Sequence, residues 1–321
     1  MTSPASGPRT EAPDAPPPRH ALLRPGVAIP FLLVALIWGS TWFVIQDQLA
    51  AAPPSWSVAY RFGIAAIAMF ALAARAPGGL AMPPREQLMA AGIGLAQFCL
   101  NFNFVYRAEQ YVTSGIVAVL FGLLMVPNAI LARLFLGVPI APRFVMGTLV
   151  ALGGIALLLA HEFLEAQVGG KVALGIGLTA LGLLSASTAN VLQASERAKR
   201  RPLTVLLAWA MLWGTVIDAG FALAMDGAPV LPADARYWAG VLYLALIGSV
   251  VTFPLYFGLI RDIGPGRAAY NGVMTPIVAM ALSTLFEGYV WSGLAVAGAV
   301  LAMAGLLVAL RGRTVAKPVS E

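Results

Sequence analysis

The sequence predicts an all-α integral membrane protein: ten transmembrane helices arranged as two five-helix repeats of inverted topology. Three observations carry this prediction. Of the 321 residues, 60% are hydrophobic and 11% charged, where a soluble domain carries roughly 25% charged residues. Basic residues alternate strongly between the loops of the two membrane sides. Short phrases of the first half recur, in the same order, in the second.

So few charges cannot cover a water-facing surface, and the mean hydropathy of +0.84 makes lipid the main solvent. The net charge of +6 would suit nucleic acid, but the basic residues sit in short loops between apolar runs, which is a membrane pattern. No nucleic-acid partner is expected. Cys99 is the single cysteine, and no Cys/His cluster has metal-ligand spacing. Neither a disulfide framework nor a metal or other cofactor is expected.

Taken in order, residues 1–26 read as a disordered cytoplasmic tail, rich in Pro, Ala and Ser and without an apolar core of its own. The first apolar run starts at Val27 and is long enough to cross roughly 30 Å of hydrocarbon as a retained helix. Nine more runs follow, at 56–75, 87–107, 112–135, 143–160, 172–194, 203–225, 237–260, 266–286 and 291–310. Loops rich in Pro, Gly or charge separate them, such as "RAPGGLAMPPRE", "SERAKRRP" and "DGAPVLPADAR". With the N-terminus inside, sixteen Lys and Arg residues fall in cytoplasmic segments and three (Arg107, Lys171, Arg236) outside, with Arg61 left within a span. This positive-inside asymmetry predicts both termini in the cytoplasm.

The repeat rests on collinear matches. "STWFVIQ" at Ser40–Gln46 is answered by "STANVLQ" at Ser187–Gln193, and "LFLG" at Leu134–Gly137 by "LFEG" at Leu285–Gly288. At the same offset as the second pair, Gly147, Ala151 and Gly154 lie over Gly298, Ala302 and Gly305. A repeat of five spans has an odd count, so its second copy enters the membrane from the opposite side. The expected units are a first repeat over 27–161, a periplasmic connector over 162–171, a second repeat over 172–311 and a cytoplasmic tail over 312–321.

The phrases "LIWGSTWFVIQ", "AYRFGIAA", "ARLFLG" and "STLFEG", in this order within ten spans, resemble the EamA-type family of the drug/metabolite transporter superfamily. The resemblance covers about residues 27–311. It implies secondary transport, usually export, of small metabolites from the bacterial cytoplasm, with a cavity between the two halves. The chain departs from the family where many members carry Glu after "FLG": here Val138 stands there, and in the second half the acid is Glu287, followed by Gly288 and Tyr289. The first span has no acid before Asp47, so proton coupling through a first-span Glu, as in the small multidrug branch, is not supported.

Polar side chains are expensive in lipid, and those that remain are the candidate substrate-binding residues. Span one offers Trp38, Thr41 and Trp42; the second copy of its phrase offers Thr188 and Asn190. The two copies are expected to line opposite gates of one pathway. Span three carries Gln97 and Asn101, then Asn103 and Tyr106, interleaved with Phe98 and Phe102. Of these, Gln97, Asn101, Phe102 and Tyr106 are read as cavity wall. The competing reading is interhelical hydrogen bonding, worth about 0.6 kcal/mol per contact. Span eight offers Thr252 and Tyr256, span nine Tyr270 and Asn271, and Asn128 follows the span-breaking Pro127. Pro276 interrupts span nine in the same way.

Arg61 is read as snorkelling at the outer end of span two, with pairing to Asp47 as the alternative. Asp218 is either a functional site or paired with a neighbouring donor, and Glu287 is read as an interface residue. The small residues at 147, 151, 298 and 302 are read as close helix packing. "HEFLE" at His161 lacks the second His of a zinc-protease motif, and "VGGKV" near Lys171 lacks the first Gly and the Ser/Thr of a phosphate loop. No catalytic residue is expected. The reading is a secondary active transporter of the bacterial inner membrane, a monomer or homodimer, exporting amino-acid-like or amphipathic small molecules by alternating access. The alternative is an intramembrane enzyme acting on lipid or peptide substrates.

Overall fold

Among residues 24–137, 139–165, 169–256, 258–259 and 271–311, which the computed structural model describes, every regular element is helical. Ten helices account for most of the chain. They are α1 (Pro25–Gln48), α2 (Pro54–Ala73), α3 (Pro84–Ala108), α4 (Ser114–Phe135), α5 (Pro142–Glu165), α6 (Gly169–Ala194), α7 (Leu203–Met225), α8 (Ala235–Tyr256), α9 (Asn271–Phe286) and α10 (Gly293–Arg311). A single turn, Glu196–Lys199, sits between α6 and α7. Seven of the ten are long and apolar enough to cross a membrane; α9 and the apolar stretches of α5 and α10 are shorter by that measure. The expected tails before residue 24 and after 311, the start of span nine, Val138 and Tyr270 lie outside the described residues.

Local sequence explains where the helices begin and end. Pro25, Pro54, Pro84 and Pro142 each open a helix, where a missing N–H has no intrahelical partner to lose. Gly137 closes α4 with φ 68°, a left-handed cap that suits a residue without Cβ. Ile67, Leu88, Leu134, Phe135, Leu149 and Val300 are exposed, giving the bundle the apolar outside that a lipid solvent demands.

The interior holds two main apolar clusters. One is built largely from α2, α3, α7 and α8, the other from α4, α5, α9 and α10. Trp42 and Phe121 pack against both, with their ring centroids 5.0 Å apart. Small residues set the closest approach, between α5 and α10. A Cβ on Gly154 would stand 2.2 Å from the Ala302 N and 2.6 Å from the Gly298 O; one on Gly305 would stand 2.2 Å from the Ala151 N and 2.7 Å from the Gly147 O. These contacts exchange when each residue is replaced by its counterpart 151 positions away.

Besides α1, which carries an internal Pro30, four of the described helices are irregular inside the bundle. α3 widens to a π-helix over Gly94–Asn101 and α8 over Tyr243–Val251; such widening is rare and concentrates at functional sites. α4 tightens to a 3₁₀ turn at Gly122–Leu124, before Pro127, which has no N–H for the Leu123 carbonyl. Pro276 does the same to Gly272 in α9. A Cβ on Gly122 would lie 3.5 Å from the Gly272 O, so the two interrupted helices meet at their breaks.

Candidate functional site

An aromatic wall forms where α1 meets α8. Trp38 Nε1 donates to the Gly248 carbonyl at 3.3 Å, and its ring stands 5.7 Å from Phe253 and 5.0 Å from Tyr256. Phe253 touches Phe98, Phe98 touches Phe62, and Phe62 touches Phe102, with centroids 5.9, 4.9 and 4.8 Å apart. Beside this wall, Ser40 and Tyr243 share a hydrogen bond of 2.7 Å, which ties the first polar phrase to the π segment of α8. Thr41 is buried, with Oγ1 donating to the Trp38 carbonyl and its methyl against Gly248. The Trp42 indole N–H, though buried, has no acceptor among the described residues.

Arg61 stands at the centre of this arrangement and is 2% exposed. Its guanidinium lies 4.4 Å from the Phe102 ring centroid and 5.1 Å from that of Phe62. Nη2 reaches Ser249 Oγ at 3.4 Å, while Nε and Nη1 have no acceptor among the described residues. The snorkelling expectation is therefore corrected: the side chain turns inward to α8. The pairing with Asp47 is also corrected, because Asp47 is engaged by Arg236 at 2.6 Å. A cation over two aromatic faces gains about 2 kcal/mol when desolvated, less than the several kcal/mol that burial of the charge costs. The arrangement therefore favours an anion at Arg61.

Further polar groups gather at the same end of the bundle. The Tyr106 hydroxyl donates to Gln48 Oε1 at 3.0 Å, and the Gln48 amide nitrogen is left without a partner among the described residues. Glu109, in the hairpin between α3 and α4, is 1% exposed, and neither carboxyl oxygen has a donor among the described residues. Burial, and then the facing Glu287 carboxylate, push its carboxyl well above the usual range, with Arg61 pulling the other way. Glu287 is provided for: it accepts from the Ser114 N–H at 3.2 Å, from the Ser114 hydroxyl, and from Ser283 at 2.8 Å. The interface expected of Glu287 is thus a tie between the end of α9 and the start of α4.

The remaining candidates divide. Gln97 and Asn101 are buried in the π segment of α3, and Asn101 Oδ1 lacks a donor among the described residues. Asn190 donates to Asn128 at 3.2 Å, linking α6 to α4. Asn271 donates to the Phe31 carbonyl at 2.9 Å, and Thr252 donates to the Ile247 carbonyl within α8. Thr188 stands apart: it is exposed on α6 and donates to the Leu184 carbonyl at 2.9 Å. The buried stripe of α6 runs through Thr179, Gly182, Leu183, Ala186 and Ala189, and Thr188 lies off it. Tyr270 lies outside the described residues.

Asp218 has a donor. Asn103 Nδ2 reaches it at 2.7 Å, and Arg107 holds the Asn103 oxygen at 3.2 Å and Ser55 at 3.0 Å. Asn103 is thus interhelical mortar between α3 and α7. Of the serines a hydrolase could recruit, Ser185 donates to the Leu181 carbonyl and Ser195 to that of Leu192, while the buried Ser187 hydroxyl has no partner among the described residues. Sequence reasoning missed Glu109, Gln48 and Ser249. For Glu109 a signal existed, since a hairpin of residues 109–113 between two membrane helices is too short to carry an acid clear of them.

Comparison with known proteins agrees over the whole bundle. The profile of the EamA-like transporter family matches residues 27–160 and 163–311. The "Uncharacterized inner membrane transporter YedA" of Escherichia coli is 31% identical over 79% of this chain and 80% of its own length. A Salmonella typhimurium protein named "Probable amino-acid metabolite efflux pump" is 24% identical over 88% and 93%. One solved crystal structure superposes with a TM-score of 0.65 at 20% identity, covering 89% of this chain and 96% of the other, and so shares the fold.

Proposed function

The chain belongs to the EamA-like transporter family, and from that premise we propose that it exports small amphipathic metabolites, amino-acid-like compounds among them, across the bacterial inner membrane. It does so by alternating access. Two inverted five-helix repeats, 27–161 and 172–311, enclose the pathway, joined by a periplasmic connector at 162–171. Tails 1–26 and 312–321 lie in the cytoplasm. The exchangeable contacts of α5 with α10 support the two-fold relation, as do π segments at matching places in α3 and α8.

The observation that carries the reading is the buried Arg61, aromatic-faced and short of acceptors, between helices of both halves. Membrane interiors tolerate such a group where it meets a solute or an aqueous cavity. The aromatic wall beside it offers an apolar surface, so a molecule with one charged and one apolar part suits the site. The relatives' names, an inner membrane transporter and a probable amino-acid metabolite efflux pump, support the same reading. Counterflow in proteoliposomes, with a panel of amino acids, amines and sugars, tests the proposal. Saturable exchange of a member is expected; no exchange of any would refute it.

A further inference from the structure

Glu109 raises a question of charge balance that the transporter reading leaves open. It lies in the hairpin joining α3 to α4, inside the bundle, with neither oxygen met by a donor among the described residues. The groups that face it can be named helix by helix. The residue just past α9 is Glu287, and α2 contributes Arg61. α3 contributes the Tyr106 hydroxyl, which is bound to the neutral Gln48 of α1. Glu287 accepts three hydrogen bonds. With Glu109 also ionised, its carboxylate would face that of Glu287 with no donor on either Glu109 oxygen among the described residues. Glu109 is met only when it carries a proton or another cation.

Resting on the transporter reading, we infer that Glu109 is the place where a coupling proton and the ammonium group of the transported solute alternate. As a primary ammonium enters, the Glu109 carboxyl gives its O–H proton to water and the carboxylate pairs with the ammonium. On the other side of the cycle water returns a proton, the O–H bond re-forms and the ammonium leaves. One positive charge replaces another, so the site never holds an uncompensated carboxylate. The free Arg61 N–H groups take the carboxylate of an amino acid in the same step, while its side chain lies along the part-buried Trp38 and Phe253. The ligand class is therefore the α-amino acid or simple amine rather than the sugar or the amine-free acid. The coupling residue sits at the end of α3, not in the first span.

The test uses the full chain in proteoliposomes, with the membrane potential clamped and L-phenylalanine, L-leucine and L-threonine as probes. An imposed gradient of one pH unit should drive about tenfold accumulation of an exchanged probe, the ratio for one proton per solute. Phenethylamine should compete and 3-phenylpropionate should not. In Glu109→Gln the exchange that remains should ignore the gradient. Should that variant lose exchange altogether, Glu109→Asp should keep the coupling with its pH profile displaced. Wild-type exchange indifferent to the gradient, a Gln variant that still concentrates solute, or an Asp variant with the wild-type profile would each overturn the inference. Exchange of sugars or amine-free acids alone would also overturn it, leaving the transporter reading intact. No exchange of any compound would remove both.

Discussion

Gly153 and Gly154 are neighbours in α5, yet the structure assigns them opposite responses to one added methyl group. A Cβ on Gly153 meets nothing within 4 Å, whereas one on Gly154 would lie 2.2 Å from the Ala302 N, 2.6 Å from the Gly298 O and 2.7 Å from the Ala302 Cα. All three obstacles are backbone, so no side chain can rotate away and the helices themselves must part. Reaching ordinary contact at 3.4 Å requires roughly 1.2 Å of separation, and a gap of that order forfeits a quarter to a half of each dispersion contact along the seam. Overpacking of this kind costs about 1–3 kcal/mol. Both substitutions gain the helix preference of Ala over Gly, about 1 kcal/mol. Gly153→Ala should therefore be neutral to stabilising, and the two variants should differ by about 1–3 kcal/mol. At roughly 2–4 °C per kcal/mol, that is a Tm gap of several degrees in the purified protein, read by fluorescence-detected size exclusion after heating. Gly305→Ala should match Gly154→Ala, since the obstruction is reciprocal. Equal Tm values for Gly153→Ala and Gly154→Ala would refute the close seam, as would a fully stable, active Gly298→Leu.

Asn103→Ala removes the donor to the buried Asp218 and should lower stability by about 1–3 kcal/mol, the cost of leaving a buried polar group unsatisfied; an unchanged Tm would show Asp218 otherwise satisfied. Arg61→Met replaces an under-paired buried cation with an apolar chain of similar length. It should leave Tm unchanged or raised while abolishing exchange in proteoliposomes; a large loss of Tm would make Arg61 a structural residue. Glu109 has its carboxyl raised by burial, so the folded chain keeps a proton that the unfolded chain sheds above about pH 4.3. Its stability contribution is then present below that pH and lost as pH rises through the folded value. Wild-type Tm should fall over that range more steeply than Glu109→Gln; parallel curves would count against the buried carboxyl.

The glycine seam was legible because close helix approach needs small residues at fixed spacing, and Gly147, Ala151, Gly298 and Ala302 provide it without reference to anything distant. The spans were legible from hydropathy, which is a local property. Arg61 was misread for a geometric reason. α2 begins at Pro54, earlier than the apolar run suggested, which sets Arg61 about 10 Å along the helix at 1.5 Å per residue. From that depth the side chain turns to Ser249 rather than to the rim. Thr188 lies off the buried stripe of α6 because a repeated phrase repeats residue types but not the face they present; the stripe α6 buries is chosen by its neighbours. The π segments of α3 and α8 have no propensity signature at all. They follow from packing, and with them goes the direction in which Gln97 and Asn101 point.

The unsatisfied groups are distributed in a way that separates structural polarity from functional polarity. Thr179, Ser185, Thr188, Thr215 and Thr284 each donate to a carbonyl four residues back in their own helix, the cheapest solution lipid allows. Arg61 and Glu109 have no such escape, because a guanidinium or carboxylate cannot be satisfied by one local carbonyl. Both lie at one end of the bundle, near the Gln48 amide and the Tyr106 hydroxyl, where α1, α2, α3, α8 and α9 converge. Were their role structural, pairing them directly would be the obvious economy, since their charges are opposite and their helices adjacent. The fold instead turns Arg61 to Ser249 and supplies the nearby acceptor Glu287 with three donors of its own. A guanidinium and a carboxyl that both lack partners among the described residues are the two groups that the proposed amino-acid solute would meet.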